Sequence, residues 1–197
     1  MRIIKLILWL LLLAPLIRLL GLAAVDALGA NPIERILRST GFWTLTIILL
    51  TLCVSPLRRL SRSNHLARVR RLIGLFAFFF GCAHLASYVV LDQYFDWPNM
   101  VKDITKRPYI TVGLTALMLM VPLAVTSTRA MQRRLGGRRW VRLHRLIYLT
   151  AGLGVIHFSW LVKKDLTQPF LFAAVLILLL GERLWAFRRR ESLRHPC

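Results

Sequence analysis

Six apolar runs, residues 3–25, 40–54, 72–91, 110–125, 140–162 and 169–186, occupy most of this chain and leave it few ways to fold. A helix needs about 20 predominantly apolar residues to cross a bilayer. In lipid the backbone finds no outside hydrogen-bond partner, so a spanning segment must be a helix or part of a closed barrel. The sequence therefore predicts an all-α integral membrane protein, a six-helix transmembrane bundle forming a single domain over residues 1–197. The runs at 40–54 and 110–125 are short for a crossing, so flanking residues or a thinned bilayer must make up the difference. The first run, with Arg2 and Lys5 before it and Ala23-Ala24-Val25 behind, has the outline of a secretion signal. Its apolar part is long for one and further spans follow, so it is read as an uncleaved first helix.

The chain is 57% hydrophobic, with mean hydropathy +0.60, yet its net charge is +20. Where the arginines stand explains the combination. One cluster runs from Arg58 to Arg71, a second from Arg129 to Arg142, a third from Arg188 to Arg194. The intervening loops are balanced, with Asp26 and Glu34 against Arg35 and Arg38, then Asp92, Asp96 and Asp103 against Lys102, Lys106 and Arg107. By the positive-inside rule the Arg-rich loops and both termini are expected in the cytoplasm. Basic residues gathered between apolar runs, without interleaved aromatics on a polar surface, exclude a nucleic-acid groove. Their ordinary partner is anionic membrane lipid.

Three histidines lie within the apolar runs, where ionisable groups are costly and therefore functional suspects. His144 and His157 share the run at 140–162, but thirteen residues separate them by about 20 Å, too far to bind one metal ion. His84 lies thirteen residues beyond Arg71, and His157 fifteen beyond Arg142. If both basic clusters mark one membrane face, the two rings sit about 20 and 22 Å in, at matching depth on different helices. Two neutral imidazoles meeting across a bundle core suit the axial positions of a haem b iron. His144 is open between a second haem, a flavin or quinone site, and an interfacial anchor. On a straight helix it would point about 140° away from His157, and Gly152 and Gly154 are places where a bend would change that.

Arg18, inside the first run, either snorkels to headgroups or balances a haem propionate. Arg70 and Arg71, with Arg138 and Arg139, face lipid, or hold the anionic groups of a bound cofactor. His65 and His195 are read as solvated. Cys53, Cys82 and Cys197 form no C-x-x-C, and the C-x-x-C-H signature of covalent haem is missing near His84, so a haem would be non-covalent. There is no G-x-G-x-x-G fingerprint, so electrons are expected from a separate donor.

The thirteen-residue spacing of His144 and His157, with His84 on the third run, resembles the transmembrane cores of ferric reductases and NADPH oxidases. In those proteins the third and fifth helices carry histidine pairs that hold two stacked b haems. Where their third helix has its other histidine, this sequence has Arg70. The segments RRLIGL (70–75), AHLASY (83–88), RPYITVG (107–113) and TSTRAMQRRLGGRRWVRLHRLIYL (126–149), with GANP (29–32) and STG (39–41), are more closely similar to MsrQ, the haem-binding membrane subunit family of a bacterial periplasmic methionine sulfoxide reductase system. That resemblance implies a multi-pass protein of the bacterial inner membrane. It would take electrons from a cytoplasmic flavin reductase or the quinone pool and pass them through haem b to a periplasmic molybdopterin-dependent reductase that repairs oxidised methionine. It also implies FMN, and an electron-transfer subunit rather than the catalytic one. The other readings of these residues are a stand-alone ferric reductase or quinol-oxidising cytochrome, and a non-redox transporter or scaffold whose histidines relay protons.

Overall fold

A computed structural model describes residues 2–61, 65–162 and 165–192, and every regular element among them is helical. In chain order these are α1 (Arg2–Ala24), α2 (Pro32–Ser61), α3 (His65–Ser87) with a π-helical extension (Tyr88–Asp92), α4 (Trp97–Lys106), α5 (Pro108–Val125), α6 (Arg129–Leu135), α7 (Gly137–Leu143), α8 (Leu146–Leu161) and α9 (Thr167–Ser192). Five stretches are long and apolar enough to cross a membrane: Lys5–Ala24, Pro32–Ser61, Val69–Asp92, Pro108–Val125 and Thr167–Arg189. Each contains or overlaps one of the expected runs.

The run at 140–162, expected as one long span, is corrected in its bounds, because α8 alone is left as its continuous apolar helix. It is broken at His144 and Arg145 into α7 and the 16-residue α8. Arg138, Arg139, Arg142 and Arg145 are all exposed on its first turns, and burying four guanidiniums in lipid is prohibitive. What remains rises about 24 Å, short of a ~30 Å hydrocarbon core. Gly152 and Gly154 lie inside α8 and do not interrupt it. At Gly154 the missing Cβ instead admits Leu45, whose Cδ1 would stand 3.1 Å from it.

Local chemistry sets the helix starts. Asn31 accepts from the Glu34 amide at 3.2 Å, Asp96 from that of Asn99 at 3.0 Å, Thr128 from that of Met131 at 3.2 Å, and Asp165 from that of Thr167 at 2.9 Å. These acceptors occupy amides that a helix leaves without intrahelical partners. The hydrogen bonds to Thr167 hold the exposed Asp165 carboxyl below its ordinary range. Within α2 the hydroxyls of Thr40, Thr44, Thr46 and Thr51 each reach the carbonyl four residues back at 2.8–2.9 Å, so polar side chains stay satisfied in an apolar helix.

The bundle is organised as two tight helix pairs, α2 with α3 and α5 with α8, and α9 packs against α2 and α8. Arg183 ties this arrangement together at the Arg-rich end. Pro56 has no amide hydrogen, which leaves the Leu52 carbonyl without its usual intrahelical donor. Arg183 Nη2 supplies one at 3.0 Å, and the same guanidinium bonds the Tyr148 hydroxyl and lies 4.8 Å from the centre of that ring. An unpaired carbonyl there would cost about 1–3 kcal/mol. Alongside, Arg59 pairs with Glu182.

Candidate functional site: two imidazoles between helix pairs

His84 projects from α3 and His157 from α8, and their ring centres lie 6.2 Å apart with the planes at 75°. Each ring is held by the helix paired with its own. His84 Nδ1 is 3.1 Å from the Leu37 carbonyl and 3.2 Å from Thr40 Oγ1, both on α2. Because Thr40 already donates its proton to the Ile36 carbonyl at 2.8 Å, its oxygen can only accept from the imidazole. His157 Nδ1 is 2.6 Å from the Tyr109 carbonyl, in the first turn of α5. In both rings Nδ1 therefore carries the hydrogen, and Nε2 keeps its lone pair, with no hydrogen-bond partner among the described residues.

A glycine follows each accepting carbonyl by four residues, Gly41 after Leu37 and Gly113 after Tyr109. Residues i and i+4 share one helix face, so each imidazole lies over a glycine while bonding the turn before it. A Cβ on Gly113 would stand 2.6 Å from His157 Nδ1 and 2.8 Å from its Cε1. On Gly41 it would stand 3.1 Å from His84 Cε1. The notch at Gly113 brings ring and backbone closer than a side chain there permits, and the one at Gly41 gives a tighter approach than most side chains allow. Sequence reading missed them, although both sit inside segments that carried the family resemblance. The available signal was a glycine on the histidine-facing side of each neighbouring helix.

The donor set fits an iron that arrives with its equatorial ligands. With metal–nitrogen bonds of about 2 Å, and ~1 Å from each ring nitrogen to its ring centre, imidazoles on opposite sides of one iron stand roughly 6 Å apart. The observed 6.2 Å agrees. Among the described residues no three His, Cys, Asp or Glu side chains gather. A bare metal ion would lack ligands here, whereas a porphyrin brings four nitrogens. Although each histidine-bearing helix packs along its partner, α3 and α8 are not closely packed against one another. One to two turns before the histidines on α3 and α8, toward the Arg-rich end, Ala77, Phe80, Thr150 and Ala151 are almost fully buried.

His144 is not brought to this pair. It caps α7, stacks on Trp140 with ring centres 4.0 Å apart, and places Nε2 3.1 Å from Thr126 Oγ1. Thr126 donates to the Pro122 carbonyl at 2.6 Å, so its oxygen accepts the His144 Nε2 hydrogen. Trp140 Nε1 completes the joint by donating to the Thr126 carbonyl at 2.9 Å. Arg70 is the charged neighbour of His144, whereas Arg71 is exposed. Arg18 faces a cavity lined also by Arg35, Ser39 and Trp43. That side of α2 is turned about 150° from the one bearing Leu37, Thr40 and Gly41. Cys53 and Cys82 are free thiols, Cys197 and His195 lie outside the described residues, and so does the side chain of His65.

Residues 40–155 match the family described as the ferric reductase like transmembrane component. Over 187 residues, 94% of this chain and 86% of the relative, the chain is 51% identical to a protein of Ralstonia nicotianae named protein-methionine-sulfoxide reductase heme-binding subunit MsrQ. Relatives of the same name from Herminiimonas arsenicoxydans and Rhodospirillum rubrum are 48% identical over 98% of the chain and 56% identical over 86%, covering 89% and 82% of their own lengths.

Proposed function

This chain belongs to the MsrQ family of ferric reductase-like transmembrane proteins, and we propose that it serves as a b-type cytochrome supplying electrons to a periplasmic methionine sulfoxide reductase. The observation that carries this reading is the imidazole pair, one ring from each helix pair, separated by 6.2 Å. When bound, a haem b between them supplies one-electron storage and transfer. His84 and His157 would hold its iron through Nε2. The carbonyls of Leu37 and Tyr109, with Thr40, fix the tautomer and make each Nε2 a better donor. The buried Ala77, Phe80, Thr150 and Ala151 keep water from the neighbouring turns of α3 and α8 and so help set the potential.

Loop charge orients the path. With the Arg-rich loops and both termini in the cytoplasm of a bacterium, the imidazoles lie in the outer half of the inner membrane. The acceptor on that side is a separate molybdopterin-dependent reductase that returns oxidised methionine to methionine. Electrons enter from the cytoplasmic side, from a flavin reductase or the quinone pool. The FMN implied by the family is assigned to this inner end, where Arg70 and Arg71 suit a phosphate. His144 acts there as a positioning residue at the joint between α7 and α8.

Reoxidation of the dithionite-reduced protein tests the proposal. Rapid reoxidation by the periplasmic reductase together with a methionine sulfoxide substrate, and slow reoxidation by ferric citrate, is expected. The reverse order identifies a stand-alone ferric reductase, and protein without a Soret band after expression with ample haem makes the chain a non-redox membrane component.

A further inference from the structure

The α1 face of the bundle carries an arginine with no partner among the described residues. Arg18 lies on the apolar helix α1, six residues or about 9 Å before its end, and takes part in no ion pair or hydrogen bond among the described residues. An unpaired guanidinium at that depth is costly unless an anion or water meets it. It lines a cavity of about 260 Å³ with a second guanidinium, Arg35, and with Ser39 and Trp43. Arg35 makes only a long 3.4 Å bond to the Leu28 carbonyl, and the nearby Glu34 is committed to Arg38 at 2.6 Å. Two cations thus face one cavity whose lining includes no carboxylate.

This cavity continues into a larger one. Leu11, Pro15 and Trp43 line both, and the second, about 600 Å³, runs between α1, α2 and α3 down to Lys5 with an almost wholly apolar wall. On α1 a stripe runs from Leu8 in the larger cavity through the shared Leu11 and Pro15 to Arg18 in the smaller one, spaced as one helix face. From Arg18 to Lys5 the groove follows thirteen residues, about 20 Å. One leaflet of a ~30 Å hydrocarbon core is about 15 Å deep, so the groove accepts an entire acyl chain.

We propose that this face is a binding site for one anionic phospholipid, its phosphate clamped by Arg18 and Arg35 and an acyl chain lying in the groove between α1, α2 and α3. Charge selects this occupant over a quinol, whose neutral head group leaves both guanidiniums uncompensated. The site lies across α2 from the imidazoles, so its occupancy is independent of haem.

The test is native mass spectrometry, with lipid extraction, of the full chain purified in mild detergent and exposed to an equimolar mixture of phosphatidylglycerol and phosphatidylcholine. Retained phosphatidylglycerol in excess over phosphatidylcholine is expected. Arg18→Leu or Arg35→Leu should each lower that retention about fivefold, the worth of one basic residue near an anionic lipid. Arg18→Lys should restore most of it. Arg38→Leu, which removes the same charge from a residue already paired, should leave it unchanged, and all four variants should keep the wild-type haem spectrum. Equal retention of the two lipids, indifference to Arg18→Leu, a quinone recovered in place of lipid, or loss of haem from Arg18→Leu would each overturn the proposal.

Discussion

His84→Ala and His157→Ala should each eliminate the six-coordinate haem spectrum, while His144→Ala retains it. On the proposed reading, removing either imidazole would take away a ligand of the haem iron together with the carbonyl bond that orients it. Among the described side chains no other histidine stands in reserve, because His144 is thirteen residues from His157 and is engaged by Trp140 and Thr126. The fold should survive. Leu37 and Tyr109 remain bonded within α2 and α5, and the helix pairs bury their apolar faces without help from the rings. Absorbance per unit of purified protein, read beside helical circular dichroism, separates loss of haem from loss of structure. A wild-type Soret band in either of the first two variants would remove the pair from the site.

Gly113→Ala should produce nearly the same haem loss from a residue that touches no iron. The added Cβ would sit 2.6 Å from His157 Nδ1 and 2.8 Å from Cε1, whereas relaxed carbon contacts lie at about 3.5–4.0 Å. The ring must retreat by about 1 Å, and the 2.6 Å bond to Tyr109 cannot survive that. Loss of such an outer partner commonly weakens metal binding about 10–100-fold. Alanine is the better helix former by roughly 0.5–1 kcal/mol, which offsets part of the cost of the lost bond, so the apoprotein should lose only about 1–2 kcal/mol and stay folded. Falling haem occupancy in a protein that keeps its helical circular dichroism is a combination that simple misfolding does not give. Gly41→Ala, where the approach is 3.1 Å, should show a milder form. Gly152→Ala, with nothing within 4 Å, should show none. Haem titration of the three apoproteins measures the series.

Much of this was legible in the chain because membrane folding is written in long, coarse signals. The apolar runs marked α1, α2, α3, α5 and α9, although α2 extends from Pro32 to Ser61 where only residues 40–54 stood out. Depth counted from the arginine clusters brought His84 and His157 to the same height, and the rings do lie side by side. Finer features depend on contacts that hydropathy does not encode. The break after α7 follows from what Trp140, His144 and Thr126 do together, while the glycines singled out as bend points lie in unbroken helix. The amphipathic α4 was hidden in a charged loop. Its Asp96 cap and Pro98 were readable, but not the burial of Asp103 between Tyr88 and Arg107. The acceptors for the imidazoles are main-chain carbonyls, invisible to any search for side-chain chemistry.

Electron paramagnetic resonance of the oxidised wild-type protein tests the central claim most directly, since two strong-field imidazoles on one iron enforce the low-spin state. A low-spin ferric signal is expected, strongly anisotropic because the two ring planes cross at 75°. A high-spin signal would mean that His84 and His157 do not share an iron.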